Sequence, residues 1–299
     1  MSGKRKSPQT MSVAEESIDL EWTRLDIEQR LGFNGGKFTR VNSLLSVIIG
    51  SGITVAFYLV LLVLEENPWL EQFVAMFTQR GPVPYAISFL TSWSLTMLVL
   101  KSRKLALQTR ALNHTIIPND HDFVLEPATV DAVMDRLRSL TDDPRHFVLY
   151  NRIVIALSNL KNIRRVSDVD EILNSQATHD ESVMETSYSL LNGFVWAIPV
   201  LGFIGTVLGL STAIGQFGSV LQGADRLDEI KQSLEGVAGG LSTAFETTLE
   251  ALVAALLIQL FLTFLKKSEE EFLDDCSDYC LRHIVNNLRV TPFEHQNKG

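Results

Sequence analysis

The chain has 299 residues, a formal charge of −9, and 46% hydrophobic against 20% charged residues. That balance, with a positive mean hydropathy, excludes a single water-soluble globule and fits a membrane protein with substantial soluble parts. The acidic excess argues against nucleic acid, which calls for basic patches, and neither a zinc-ligand spacing nor a P-loop is present.

Residues 1–40 read as a cytoplasmic tail. The first twelve are polar and expected to be disordered, and Glu15, Glu16 and Asp19 come too early for a signal peptide. Ile18, Trp22 and Leu25 then repeat at helical spacing. This amphipathic helix either lies in the membrane interface, with Trp22 at headgroup depth, or packs on the protein's own soluble part. Gly32, Gly35 and Gly36 end it.

Residues 41–64 carry no charge and predict the first span; 65–83 form a loop and 84–100 a second span. Neither span holds an acidic or basic residue, so both are expected to form a lipid-facing outer layer. Residues 101–191 form a cytoplasmic helical region. His114 and His121 lie in a loop around Pro118 and read as surface residues rather than metal ligands. Val130, Val133, Met134, Leu137 and Leu140 mark one amphipathic helix, and Pro144 opens the next. Ser167 with Asp170, and Thr178 with Glu181, have capping-box spacing. The helix after Thr178 is expected to run unbroken into a third span at 192–217. A loop at 218–238, a fourth span at 239–265 and a cytoplasmic helix at 266–299 complete an all-α, polytopic, four-span chain with long cytoplasmic helical extensions. In the last helix Glu269, Glu270, Glu271, Asp274, Asp275 and Asp278 are expected on the solvated side. Cys276 and Cys280, the two cysteines, fit packing in a reducing compartment.

Orientation follows from basic residues at span ends. Lys37, Arg40, Lys101, Arg103, Lys104, Arg110, Lys266 and Lys267 flank one side. Segments 65–83 and 218–238 hold only Arg80, Arg226 and Lys231 against seven acidic residues. Both termini are therefore predicted to be cytoplasmic and the two loops periplasmic. The acidic run before the third span departs from this pattern.

The last two spans hold more than an anchor needs. Pro199, Gly202, Thr206, Gly209 and Ala213 share one helical stripe of the third span, with Gly205 beside it. Ala244, Thr248, Ala251, Ala255 and Gln259 share one of the fourth. Antiparallel spans would put Thr206 and Thr248 about one turn apart in depth, at 1.5 Å per residue. Small residues allow close helix approach, and the hydroxyls either line a polar seam or bond back to their own helices. Glu246 and Glu250 lie on the other face of the fourth span, beside Thr247. Carboxylates at membrane depth are costly and face protein or a water-filled path.

The stretch AIPVLGFIGTVLGL, followed by GLSTAFETTLEALVAAL, resembles the MotA/TolQ/ExbB proton-channel family over residues 192–267. The resemblance implies a homopentamer enclosing two copies of a single-span partner of the MotB/TolR/ExbD kind, whose membrane aspartate carries the ion. It places Thr206 and Thr248 on the family's pore-lining threonines. Thr243 stands where some members have an acidic residue, and Glu246 and Glu250 stand where many have apolar or small ones.

These readings converge on a stator-like channel subunit of a proton- or sodium-driven motor or energy transducer in a bacterial inner membrane. It needs no cofactor or metal and is not an enzyme in the bond-breaking sense. The ion-path candidates are Thr206, Thr248, Thr247, Glu246 and Glu250. The pore-lining and packing candidates are Pro199, Gly202, Gly205, Gly209, Ala251 and Ala255. Two alternatives stay open: a self-contained channel or transporter that uses Glu246 and Glu250, and a membrane scaffold that conducts nothing.

Overall fold

The computed structural model describes Leu20 and residues 22–33, 35–114, 116–117, 125, 129–159, 166–221 and 227–288. The expected polar tail, Ile18, Pro118, His121 and Arg226 lie outside them. Among the described residues no strand occurs, only isolated bridges between Leu20 and Thr141 and between Leu125 and Leu288.

Four helical rods are long and apolar enough to cross a membrane. The first, α3 (Ser43–Leu64), follows two short helices, α1 (Trp22–Leu25) and α2 (Ile27–Arg30). Asn42 caps α3 by accepting from the Leu44 and Leu45 amides, two donors that a helix start leaves orphaned. Helix α4 (Glu71–Thr78) occupies the connection that the sequence presents as loop. Helix α5 (Val83–Leu112) places Pro84 in its first turn, where a missing N–H costs nothing.

Helix α6 (Val130–Leu140) buries Val130, Val133, Leu137 and Leu140, as its periodicity predicts. A single 3-10 turn, Pro144–His146, stands between it and α7 (Val148–Asn159). Helix α8 (Val166–Ser187) already contains both expected caps. Ser167 is inside it, and the Thr178 hydroxyl donates to the Asn174 carbonyl in mid-helix. The spacing at Thr178 is that of a cap, but the residues around it continue the helix on both sides, whereas Ser167 lies in the first turn of the described helix. Tyr188 alone separates α8 from α9 (Ser189–Leu221), and the Asn192 amide still bonds its carbonyl at 2.9 Å. Helix α10 (Leu227–Cys280) has 54 residues, about 80 Å at 1.5 Å each. It ends in one π-helical turn, Leu281–Val285.

The two outer spans are unlike each other. Helix α3 exposes Ile48, Val55, Leu59 and Val63. Half of the most apolar window of α5 is buried, so α5 is not the lipid-facing layer expected. It packs against α3, α9 and α10. Small residues of α3 permit the first of these contacts: the Trp93 backbone sits where a Cβ on Gly50 would be, and the Trp93 indole N–H donates to the Ser46 hydroxyl at 2.9 Å.

Beyond the spans, on the side of the chain termini, α5, α7, α8 and α10 enclose a core that includes Tyr150, Ile153, Leu157, Val169, Cys276, Cys280 and Ile284. Both thiols are free and buried, and burial pushes Cys276 and Cys280 well away from thiolate character. Trp22 is 1% exposed. It stacks on His146 and meets Phe147 edge-on, both with ring centroids at 5.3 Å. Of the two placements open to the amphipathic segment, the structure takes the one on the protein's own soluble part.

Ionic groups are built into this layer. Lys101 Nζ lies 3.0 Å from Glu269 and donates to Ser187 Oγ at 2.8 Å and Thr39 Oγ1 at 3.0 Å. Tyr188 donates its hydroxyl to Glu269 at 2.6 Å, and Thr39 bonds the same carboxylate. Lys104 meets Glu28 at 2.5 Å and Asp26 at 3.6 Å. Arg152 Nε meets Asp180 at 2.7 Å, and its Nη1 donates to Ser277 Oγ at 2.8 Å. Glu269 is therefore not on the solvated side with its acidic neighbours; Glu270, Glu271, Asp274, Asp275 and Asp278 are exposed. Lys101 and Lys104, which count toward orientation in the sequence, are buried partners of carboxylates.

Candidate functional site in the last two spans

Helices α9 and α10 run antiparallel, and glycine sets their separation. A Cβ added to Gly202 would lie 2.5 Å from Ala251 Cβ. One added to Gly205 would collide with the Thr247 hydroxyl, and one on Gly209 would lie 2.6 Å from Ala244 N and Gly240 O. On the other helix, a Cβ on Gly240 would meet Ala213 N and Gly209 O at 2.7 Å. As numbers rise along α9 the facing numbers fall along α10, the signature of an antiparallel pair. Apolar side chains gain little against lipid tails, so this close backbone approach is what attracts the two helices.

Thr206 and Thr248 meet in the middle of this contact. Their hydroxyls bond each other. Thr206 Oγ1 also reaches the Ala244 carbonyl at 3.1 Å and its own Gly202 carbonyl at 3.3 Å. Thr248 Oγ1 reaches the Gly202 carbonyl at 3.1 Å and its own Ala244 carbonyl at 3.0 Å. The two sequence readings, seam and back-bonding, thus hold together: each hydroxyl serves its own helix and the facing one. The threonines are level rather than one turn apart, because α9 starts before residue 192 and α10 continues past 265. Two hydroxyls and two carbonyls form a compact oxygen cluster, and both threonines keep partial exposure.

The other candidates are distributed around this cluster. Gly202, Gly205, Gly209, Ala251 and Ala255 are buried, and Pro199 is half-buried. Pro199 lacks the N–H that would bond the Val195 carbonyl. Thr247 is fully buried against Gly205, and its hydroxyl donates to the Thr243 carbonyl at 2.8 Å. It touches the Thr206–Thr248 cluster only through a longer bond, 3.4 Å, to the shared Ala244 carbonyl. Gln259, on the expected stripe, is exposed and bonds Thr263 on its own helix.

Glu246 and Glu250 face α5 and its preceding turn, away from the threonines. Arg80 clamps Glu246 with both arms of its guanidinium, Nε to Oε2 at 2.6 Å and Nη2 to Oε1 at 3.1 Å. Ser242 joins them, accepting from Arg80 at 3.1 Å and donating to Glu246 at 2.5 Å. A two-bond arginine–carboxylate pair fixes geometry as well as charge. It ties the start of α5 to α10 at the end of the spans away from the termini. Glu250 lies two turns further in than Ser242 and accepts from the Ser88 hydroxyl at 3.3 Å. Sequence reasoning used Arg80 only as an orientation signal and passed over Ser88 and Tyr58. Arg80 was findable as the lone basic residue of its connection; Ser88 and Tyr58 carried no pattern that marked them.

Residues 149–277 match the model of the MotA/TolQ/ExbB proton channel family. No curated protein and no solved structure matches the chain. The matched stretch contains α7, α8, α9 and nearly all of α10, with Thr206, Thr248 and the glycines between them. It leaves out α3, α5 and Arg80. Over residues 149–277, then, this four-span α-helical membrane protein is similar to the MotA/TolQ/ExbB proton channel family.

Proposed function

We propose that the chain is the channel subunit of a proton- or sodium-driven motor or energy transducer. Five copies surround two copies of a single-span partner of the MotB/TolR/ExbD kind. The assembly sits in a bacterial inner membrane with both termini in the cytoplasm. The ion neutralises a carboxylate on the partner and leaves past Thr206 and Thr248. The subunit itself breaks no covalent bond and needs no cofactor. The observation that carries this reading is the oxygen cluster of Thr206, Thr248 and the Gly202 and Ala244 carbonyls. It lies at the middle of the α9–α10 contact, inside the stretch that matches the family. Hydroxyl and carbonyl oxygens can relay a proton through water or coordinate sodium, and they cost little to bury because each is hydrogen-bonded.

The rival reading routes the ion through Glu246 and Glu250 without a partner. Against it, Glu246 is closed by Arg80, and neither carboxylate shares a face with the threonines. The test is ion flux in proteoliposomes holding the protein with its co-expressed single-span neighbour. Thr206→Val and Thr248→Val keep the shape and remove the hydroxyl, and each should abolish flux while expression and oligomeric state persist. Glu246→Gln should keep most of it. Full flux in both valine variants, with flux lost in Glu246→Gln or Glu250→Gln, would overturn the proposal in favour of the self-contained channel.

A further inference from the structure

Glu250 presents an unsolved charge problem. It is 8% exposed, and its Oε2 is buried without a hydrogen-bond partner. Its Oε1 accepts one bond, from Ser88 Oγ at 3.3 Å. Ser88 in turn accepts from the Tyr58 hydroxyl at 3.2 Å. The three residues come from three spans, α10, α5 and α3. The ionisable groups around them are few: Tyr58 on α3, Tyr85 on α5 stacked on Tyr58 at 4.6 Å, and Glu246 with Arg80 one turn away. Helix α9 carries no ionisable residue. Arg80 is the cation nearest in the sequence of turns, and both its arms are engaged by Glu246 and Ser242.

A carboxylate with one weak donor, no counter-ion and one bare oxygen is not tolerated in an apolar interior, whereas the neutral acid is. We infer that Glu250, Ser88 and Tyr58 form a proton-binding site, separate from the threonine cluster, that holds α3 and α5 against α10 while the proton is in place. The proton adds to Oε2 from water, leaving Oε1 as the carbonyl that accepts from Ser88. Ser242, Glu246 and Glu250 recur at every fourth residue, so they form one stripe of α10. Ser242 and Glu246, at the outer end of that stripe, are only partly buried. Loss of the proton would set a second carboxylate behind Glu246 with no cation left for it, and α5 would separate from α10. The inference stands whether or not Thr206 and Thr248 line an ion path.

The test uses the full-length protein in membranes. Infrared spectra at neutral pH should show a protonated-carboxyl stretch in the wild type that is absent in Glu250→Gln. Dicyclohexylcarbodiimide, which reacts with protonated acids in apolar surroundings, should label Glu250 and not Glu246, with the adduct mapped by mass spectrometry. At one alkaline pH, amide exchange over residues 83–93 should be faster in the wild type than in Glu250→Gln, the permanently neutral mimic. Labelling of Glu246 in place of Glu250, or identical carboxyl spectra in wild type and Glu250→Gln, overturns the site. Equal exchange in the two proteins overturns its role in holding α5. Labelling is read on the wild type alone, so the result does not depend on the variant folding.

Discussion

The α9–α10 contact and the ionic layer beyond the spans solve the same problem, joining helices, by opposite means. In the first, glycine and alanine bring two backbones together, and the polar atoms are neutral hydroxyls and carbonyls that also satisfy their own helices. In the second, Lys101, Lys104 and Arg152 are buried against carboxylates, with further hydrogen bonds around each pair, while Arg152 Nη2 and Asp26 Oδ2 are left without one. The difference follows from the medium. A charge inside the hydrocarbon is costly and apolar contact gains little there, so close fit is what remains. Beyond the spans, a buried ion pair with most of its hydrogen bonds made fixes register between long helices without needing a close fit. Displacing the seam breaks no ion pair, whereas displacing the ionic layer breaks several. Under the proposed function, the helix pair would be the part whose surroundings change and the ionic layer the base that does not.

The comparison is broken most severely by removing half of an ion pair. Glu269→Ala strands Lys101 and leaves Tyr188 and Thr39 without their acceptor. One buried charge left unpaired costs about 3–5 kcal/mol, so the purified variant should melt well below the wild type or fail to accumulate. Lys101→Met combined with Glu269→Gln removes both charges and should recover most of the loss. An unchanged melting temperature for Glu269→Ala would show that the layer is not the rigid base described.

Next in size is bulk at the seam. Gly209→Leu drives a side chain into Ala244 and Gly240 backbone, which cannot rotate away. Overpacking costs about 1–3 kcal/mol, and the variant should lose stability in detergent and disperse from its assembly. Gly215, on the same helix, has open space around it within the protomer. Gly215→Leu should leave the melting of the protomer unchanged. Equal damage from both would remove the close approach as the cause.

Smaller still is the direct stability effect of the hydroxyls. Thr206→Val or Thr248→Val deletes one member of the cluster but leaves carbonyls that remain bonded within their helices. A net loss of about 0.5–1.5 kcal/mol per hydrogen bond is the expected scale. Because the two hydroxyls bond each other, the double variant should cost less than the sum of the singles. Strict additivity in thermal denaturation would mean that they act independently and that the cluster is not a unit.

The seam was legible in the sequence because periodicity and residue size carry it. Gly202, Thr206, Gly209 and Ala213 fall on one stripe, and nothing but small residues permits that approach. The ionic layer was not legible. Lys101 looks like a basic residue at a span end, and Glu269 like one of a run of surface acids, until α5 and α10 are laid side by side. Their sequence separation is 168 residues, and no local pattern encodes a partner at that distance. The same limit hid Arg80 from Glu246. Thr178 shows the converse: a local signal was present, and the helix on both sides overrode it.

The smallest expected effect lies at the rim of the ionic layer, where acid should separate the two regions cleanly. Asp142 holds the start of α1 by accepting from the Trp22 amide at 3.0 Å, the Thr23 amide at 3.1 Å and the Thr23 hydroxyl at 2.9 Å. Burial pushes its carboxyl up, but the bonds donated by Thr23 and Trp22, with one from Asp143, outweigh that and hold it below the ordinary carboxylate value. A group held low in the folded state contributes stability above its unfolded value, about 3.9 for aspartate. That contribution is lost as pH falls through the folded value. Acid below about pH 4 should therefore free α1, with Trp22 leaving His146 and Phe147. The α9–α10 seam has no ionisable member and should not respond. The measurement is amide exchange over residues 22–30 and 202–213 across an acid series, each variant compared with wild type at the same pH. Residues 22–30 should lose protection in acid while 202–213 keep theirs. Asp142→Asn keeps one acceptor oxygen where the carboxylate offers two, so at neutral pH it should show part of the loss that acid produces in the wild type. Protection of 22–30 that is indifferent to both acid and Asp142→Asn would mean that the Trp22 ring contacts, not the carboxylate, hold α1 in place.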